Sequence, residues 1–253
     1  MLIIRKLYDI TAFNPERKPA LQAILFDLDG TLVHTAPDVH RAINYARGVL
    51  GLPPLALAQA LKAIGPGSDR FAQTVLGDEH AHLLEQYLEV FRPYYLQICA
   101  ENSRPFPGIV ELLEALKEYR LAVVTNKRLV QSRALLEAIN LLPYFELLVG
   151  PELVDHIKPA PDMIHYALDQ LGLSPDQALM VGDTDNDLLA ARAAGVKNCA
   201  VTWGYSDIAF IHSLKPDHLI DKPQELLPLL ASCNQQPRKE NSDEHPRPIM
   251  FLS

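Results

Sequence analysis

An α/β fold is predicted, with a parallel sheet covered by helices and a helical domain inserted after the first strand, and three observations predict it. Short, wholly apolar runs alternate with helix-like patterns from residue 21 onward, as strands buried on both faces do when crossover helices cover them. Oxygen-bearing residues follow several of these runs directly, at the strand ends where open α/β sheets bind ligands. From residue 36 to residue 104 the alternation stops and helical patterns with Gly-Pro punctuation take over. That stretch of roughly seventy residues far exceeds an ordinary crossover, so it reads as an inserted helical domain.

Each element has its own local reason. The apolar runs at 23–26, 121–124, 147–149, 179–181 and 199–201, with a weaker one near Leu219, are the predicted strands. Between them Ile109, Leu112, Leu113 and Leu116 recur at the spacing of one helix face, and Pro107 stands where a first helical turn tolerates it. Leu168 and Leu171 end a second helix before Gly172, and 188–194, closed by Gly195, reads as a third. The predicted organisation is an N-terminal extension at 1–20, a sheet core at 21–35 and 105–231, and the inserted helices at 36–104. Residues 232–253, with Pro237, Pro246 and Pro248 among polar neighbours, read as a flexible tail.

Of 253 residues 48% are hydrophobic and 21% charged, enough apolar material for a large core. Lys and Arg number 23 against 31 Asp and Glu, a net charge of −8, which excludes a broad footprint for the nucleic-acid backbone. Cys99, Cys199 and Cys233 form no CxxC pair, so neither a disulfide framework nor a thiolate zinc site is expected. Arg5 and Lys6 interrupt the opening apolar residues too early for a signal peptide. No run approaches the roughly 18–20 apolar residues of a membrane helix, so a soluble, cytoplasmic protein without a membrane partner is expected. HExxH, GxSxG and GxxxxGK[ST] are all missing from the sequence, which removes the usual signatures of zinc peptidases, serine hydrolases and P-loop enzymes.

The chemistry gathers at the strand ends. Asp27-Leu28-Asp29-Gly30-Thr31 follows the first strand, Thr125-Asn126 the second, and Gly182-Asp183-Thr184-Asp185-Asn186-Asp187 the fourth, while Lys158 precedes Pro159 in a loop. Carboxylates crowded at one sheet edge repel unless a cation sits among them. Hard oxygen donors favour Mg²⁺, which is bound by one or two carboxylates together with a phosphate. Such a site suits phosphoryl transfer, with metal and Lys158 neutralising phosphate oxygens and one carboxylate free to attack phosphorus. A calcium loop beginning at Asp183 fits poorly, since its sixth and twelfth positions are Leu188 and Ala194. Asp185 has the plainer reading of a solvated turn residue, and Asp187 that of a helix N-cap.

Four motifs in this order, DLDGT at 27–31, Thr125-Asn126, Lys158-Pro159 and GDTDND at 182–187, resemble the haloacid dehalogenase-like hydrolases across about residues 21–231. The resemblance implies a Rossmann-like core with a type one helical cap. It implies that Asp27 is the nucleophile forming an aspartyl-phosphate and Asp29 the general acid and base. It also implies a metal held by Asp27, the backbone carbonyl of Asp29 and Asp183, a phosphoryl group held by Thr125, Asn126 and Lys158, and a supporting role for Asp187. DGTLVHTAPDV and Gly65-Pro66-Gly67-Ser68 are similar to the phosphoglycolate phosphatase branch, whereas His34 stands where that branch usually has an acidic residue. Arg70 and Arg41 are candidates to meet a substrate carboxylate. The function implied is a Mg²⁺-dependent phosphatase for a small phosphorylated metabolite such as 2-phosphoglycolate. The alternatives are an inorganic pyrophosphatase or sugar phosphomutase on the same scaffold, or a non-catalytic binding protein; oligomeric state stays open between monomer and small homo-oligomer.

Overall fold

The computed structural model describes residues 21–65 and 68–235, except the side chains of Ser68, Asp69, Arg70, Ala72 and Gln235. The 1–20 extension, Pro66, Gly67 and residues 236–253 of the expected tail lie outside the described residues. In chain order the elements are β1 (Ala23–Phe26), β2 (Val33–His34), α1 (Ala36–Val49), α2 (Leu57–Leu61), α3 (Ser68–Leu76), α4 (Leu84–Ile98) and β3 (Arg104–Pro105). There follow α5 (Ile109–Ala115), β4 (Arg120–Val124), α6 (Leu129–Ala138), β5 (Leu147–Val149), α7 (Asp162–Leu171) and β6 (Ala178–Gly182). The chain continues through α8 (Asp185–Ala193), β7 (Lys197–Val201), α9 (Ile208–Ser213), β8 (His218–Ile220) and α10 (Leu226–Gln235).

Six of the strands form one parallel sheet in the order β5-β4-β1-β6-β7-β8. Because side chains alternate across a strand, β1 feeds two cores. Ile24 and Phe26 join Leu121, Val123, Leu179 and Val181 under α5, α6 and α10, while Ala23 and Leu25 join Ala122, Val124 and Met180 under α7 and α8. Burial on both faces explains why these strands are apolar throughout. The chain leaves β1 for β4 and β5 on one side and returns to β6 on the other. The carboxyl end of β1 is therefore the point where the strand order reverses, the usual place for a ligand crevice. Among the described residues, no helix is long and apolar enough to cross a membrane.

Helices α1 to α4 lie between β2 and β3, so the seventy-residue interruption is helical. Val39, Ala42, Ile43 and Ala46 of α1 pack with Tyr87, Phe91, Tyr95 and Ile98 of α4 in the same apolar cluster as one face of the sheet. Two features depart from the sequence reading. The segments entering and leaving the insertion pair as an antiparallel ribbon, Val33 with Pro105 and His34 with Arg104; two residues per strand are too few to leave a periodic signal. At the other end, α10 continues to Gln235, so the first four residues of the expected flexible tail are helical, held by Leu230 in the core and by Asn234 against Leu21 and Tyr119.

A buried carboxylate ties the two crossing segments together. Asp38, fully buried at the start of α1, accepts from the backbone N–H and side-chain amide of Asn102 and from the backbone N–H and hydroxyl of Ser103. Burial alone would raise its pKa, but these hydrogen bonds outweigh it and hold the group below the ordinary aspartate value. Asp38→Asn places an amide N–H₂ against donors and is expected to lower stability by about 2–4 kcal/mol in denaturant unfolding at pH 7. A folded pKa below the unfolded one gives a contribution that is complete above about pH 4 and is lost as pH falls through the folded value. The gap between wild type and variant should therefore close in acid; an equal gap at pH 7 and pH 3 would remove the carboxylate from the account.

Candidate active site

Three loops bring their carboxylates to the end of β1. Asp27 follows the strand directly, with its N–H bonded to the Val181 carbonyl at 2.9 Å. Gly30 turns the chain away at φ +89°, and a Cβ there would lie 2.4 Å from Asp183 Oδ2, so the close approach of the two loops requires glycine. Carboxylate oxygens of Asp27, Asp183 and Asp187 lie within 4.8 Å of one another, and all three residues are buried.

Each is held by its neighbours. Asp183 accepts from the Thr31 hydroxyl at 2.9 Å and from the Tyr205 backbone N–H at 2.8 Å. Asp187 Oδ2 accepts from the Thr184 N–H and hydroxyl at the start of α8, which fixes the helix entry. The N-cap is thus Thr184, and Asp187 sits at its N3 position. Lys158, 2% exposed, donates to Asp27 Oδ1 at 2.7 Å, Asp187 Oδ1 at 2.6 Å and the Val124 carbonyl at 2.6 Å.

The electrostatics leave this cluster short of positive charge. Burial pushes Asp27 up to about 7 although Lys158 pulls it down, with Asp187 and Asp29 adding to the rise. Burial, then the charges of Asp27 and Asp187, raise Asp183 well above the usual range. Burial alone would lower Lys158, but Asp187 and Asp27 raise it on balance. Three carboxylates and one ammonium leave two negative charges uncompensated when all are ionised. Buried hard oxygen donors with that deficit fit a divalent cation of the Mg²⁺ type.

Asp29 is placed differently. Its carboxylate is turned from the cluster to Lys127 Nζ, at 3.0 and 3.1 Å, so the side chains that meet are those of Asp27, Asp183 and Asp187. Lys127 immediately follows Thr125-Asn126, a signal that sequence reasoning passed over. Thr125 is buried and its hydroxyl accepts from the Lys127 N–H at 3.2 Å. The Asn126 side chain brackets the Lys158 backbone, accepting from its N–H at 3.1 Å and donating to its carbonyl at 2.9 Å. It also donates to the Gly65 carbonyl of the inserted helical region at 3.0 Å, so that amide seats the cap on the core.

A cavity of about 110 Å³ opens above Asp27 and Asp29, well below the roughly 300–1,000 Å³ of drug-sized pockets. Thr125, Asn126 and Lys127 contribute from the core, and Ile64, Phe71, Phe91, Arg92 and Tyr95 from the cap helices and the turn before them. Arg41 is not among its walls: it pairs with Glu101 and lies over the Tyr94 ring, with an exposed side chain. The rotation of α1 about its axis thus turns Arg41 away from the cavity, and the arginines that line it are Arg92 and Arg128. Arg70 belongs to α3, but its side chain lies outside the described residues. His34 is exposed at the β2–β3 ribbon, against the Phe106 and Tyr205 rings. The Tyr205 hydroxyl lies 3.2 Å from its Nδ1 and accepts from the backbone N–H groups of Thr35 and Ala36.

Known proteins resemble this chain over most of its length. A family model described as haloacid dehalogenase-like hydrolase matches residues 24–201. Phosphoglycolate phosphatase of Aquifex aeolicus strain VF5 is 38% identical over 212 residues, covering 83% of this chain and 97% of its own. The phosphoglycolate phosphatase of Caulobacter vibrioides is also 38% identical, over 224 residues, with 83% and 92% covered. Among solved structures, a predicted phosphoglycolate phosphatase from Haemophilus somnus 129PT superposes with a TM-score of 0.78 at 33% identity, covering 83% of this chain and 98% of that one. A haloacid dehalogenase-like family protein from Streptococcus pneumoniae follows at 0.75 and 31%, with 83% and 98% covered.

Proposed function

The chain belongs to the haloacid dehalogenase-like hydrolases, and on that premise we propose that it is a Mg²⁺-dependent phosphatase of a small phosphomonoester, 2-phosphoglycolate or a similar phosphorylated acid. The observation that carries the reading is the buried cluster of Asp27, Asp183 and Asp187 around Lys158, two positive charges short, whose Asp27 lines a cavity of about 110 Å³. The names of the relatives supply the substrate, and the small cavity is consistent with it.

In this proposal Asp27 attacks phosphorus through a carboxylate oxygen, and the bond from phosphorus to the leaving oxygen breaks as that oxygen takes a proton from Asp29. Asp29 then accepts a proton from water as the water oxygen attacks the aspartyl-phosphate, which returns Asp27 and releases phosphate. The backbone carbonyl of Asp29 and the carboxylates of Asp27 and Asp183 are the proposed metal donors. Mg²⁺, when bound, offsets the charge of these carboxylates and of the phosphate oxygens. Thr125 and Asn126 are proposed to hold the transferring group. Lys158 keeps its positive charge beside Asp27 because Asp187 anchors its ammonium, so Asp187 acts through Lys158. A cytoplasmic location suits three free cysteines.

Phosphate release from 2-phosphoglycolate is expected to require Mg²⁺ and to stop in excess EDTA, with recovery when Mg²⁺ is restored. Full turnover under EDTA would overturn the metal assignment. A panel of phosphomonoesters, inorganic pyrophosphate and a sugar phosphate compared by kcat/KM decides between the phosphatase and its alternatives; pyrophosphate as the best substrate would replace this reading.

A further inference from the structure

The cavity carries more positive charge and more donors than the reaction at phosphorus uses. The Lys127 side chain is 8% exposed, held to Asp29 at 3.0 Å, with its ammonium 4.5 Å from the centre of the Tyr95 ring. Tyr95 is itself 1% exposed, lines the cavity, and its hydroxyl makes no hydrogen bond of good geometry. One turn earlier on α4, Arg92 lines the same cavity and has no ion-pair partner among the described residues, whereas Arg128 is paired with Glu152. Much of the remaining wall is apolar, from Val39, Phe71, Leu88 and Phe91. Two cations against the single carboxylate of Asp29 leave this side of the cavity positive, opposite in sign to the cluster around Asp27. A buried donor such as the Tyr95 hydroxyl is costly unless matched, and together with the two cations it matches a small anion carried on the leaving side of the substrate.

We propose that Lys127, together with Tyr95 and Arg92, is the specificity-determining subsite for a carboxylate on the leaving group, which selects phosphate esters of short hydroxy acids over those of neutral alcohols. The proposal rests on the phosphatase reading above. An ammonium has three donors on a flexible stem, so Lys127 can keep a bond to Asp29 and give another to a carboxylate, bringing the ester oxygen towards Asp29. The Tyr95 hydroxyl supplies a neutral donor and Arg92 a guanidinium. A neutral leaving group would lie against these donors without satisfying them, and rejection by unmatched donors is a strong form of discrimination.

The test is the ratio of kcat/KM for 2-phosphoglycolate to that for ethyl phosphate, both with Mg²⁺, since a general loss of activity cancels in the ratio. Wild type is expected to favour 2-phosphoglycolate at least about a hundredfold. Lys127→Met should lower the ratio about tenfold or more. Because it leaves Asp29 unpaired and can impair folding, Tyr95→Phe and Arg92→Leu are measured beside it. Tyr95→Phe removes one hydroxyl at unchanged ring size and should lower the ratio at least about threefold, as should Arg92→Leu. A ratio unchanged within twofold in Tyr95→Phe and Arg92→Leu overturns the subsite, as does a wild type that cleaves both esters equally while remaining a phosphatase. No turnover of either ester by wild type overturns the phosphatase reading, and the subsite with it.

Discussion

Asp27→Asn is expected to abolish phosphate release, lowering kcat by at least about a thousandfold, while leaving the folded protein intact. Asparagine has the same shape, and its carbonyl oxygen can still accept the Lys158 hydrogen bond now made at 2.7 Å. It cannot form an acyl-phosphate and turn over. Stability should respond in the opposite sense from activity. Burial and the neighbouring carboxylates push Asp27 up to about 7, so in the absence of metal its ionised form is a cost that grows as pH rises from the unfolded value towards that point. Replacing it by a neutral amide removes that cost. The Asn variant should therefore melt no lower than wild type in EDTA at pH 8, and the stabilisation added by Mg²⁺ should shrink. Retained turnover would remove Asp27 as nucleophile; a large drop in melting temperature would show that its charge supports the fold.

Lys158→Met is expected to have the largest effect on stability. The ammonium is the shared partner of two buried carboxylates and a backbone carbonyl. Its loss leaves Asp27, Asp183 and Asp187 facing one another without the cation. Removing one member of a buried ion pair typically costs about 3–5 kcal/mol, which for a domain of this size is a fall in Tm of roughly 6–20 °C. Turnover should be lost together with stability. Mg²⁺ should then raise Tm by more than it does in wild type, because a third uncompensated charge awaits it. Melting curves of both proteins with EDTA and with Mg²⁺ measure this directly. Equal melting temperatures in EDTA would mean that Lys158 is not the counter-charge of the cluster.

The sheet was legible because its strands are buried on both faces: 23–26 and 147–149 match the observed bounds, and the other strong runs lie within theirs. The same logic located Asp27, Thr125 and Asp183, since a residue directly after a buried strand has one place to go. What was not legible depends on contacts across long stretches of chain. Asp38 looks like an ordinary first-turn acid of a helix until its partners, 64 and 65 residues further on, are seen. Tyr87, Phe91 and Tyr95 recur every four residues and read as a core stripe; nothing in that spacing shows that the last of them reaches the cavity. Arg41 and Arg92 each lie on a helix of the insertion, and only the rotation of that helix decides which meets the cavity. Asp29 and Lys127 sit three residues past their strands, where side-chain direction is no longer set by the pleat.

Tyr205 joins two things that the chain otherwise keeps apart. Its backbone N–H holds Asp183, and its hydroxyl holds the first turn of α1 through Thr35 and Ala36. One residue therefore works as a strut between a carboxylate of the buried cluster and the root of the helical domain that roofs the cavity. A strut of fixed length ties the two ends: the root of the roof cannot tilt away from the cluster without either breaking a hydrogen bond or pulling on Asp183.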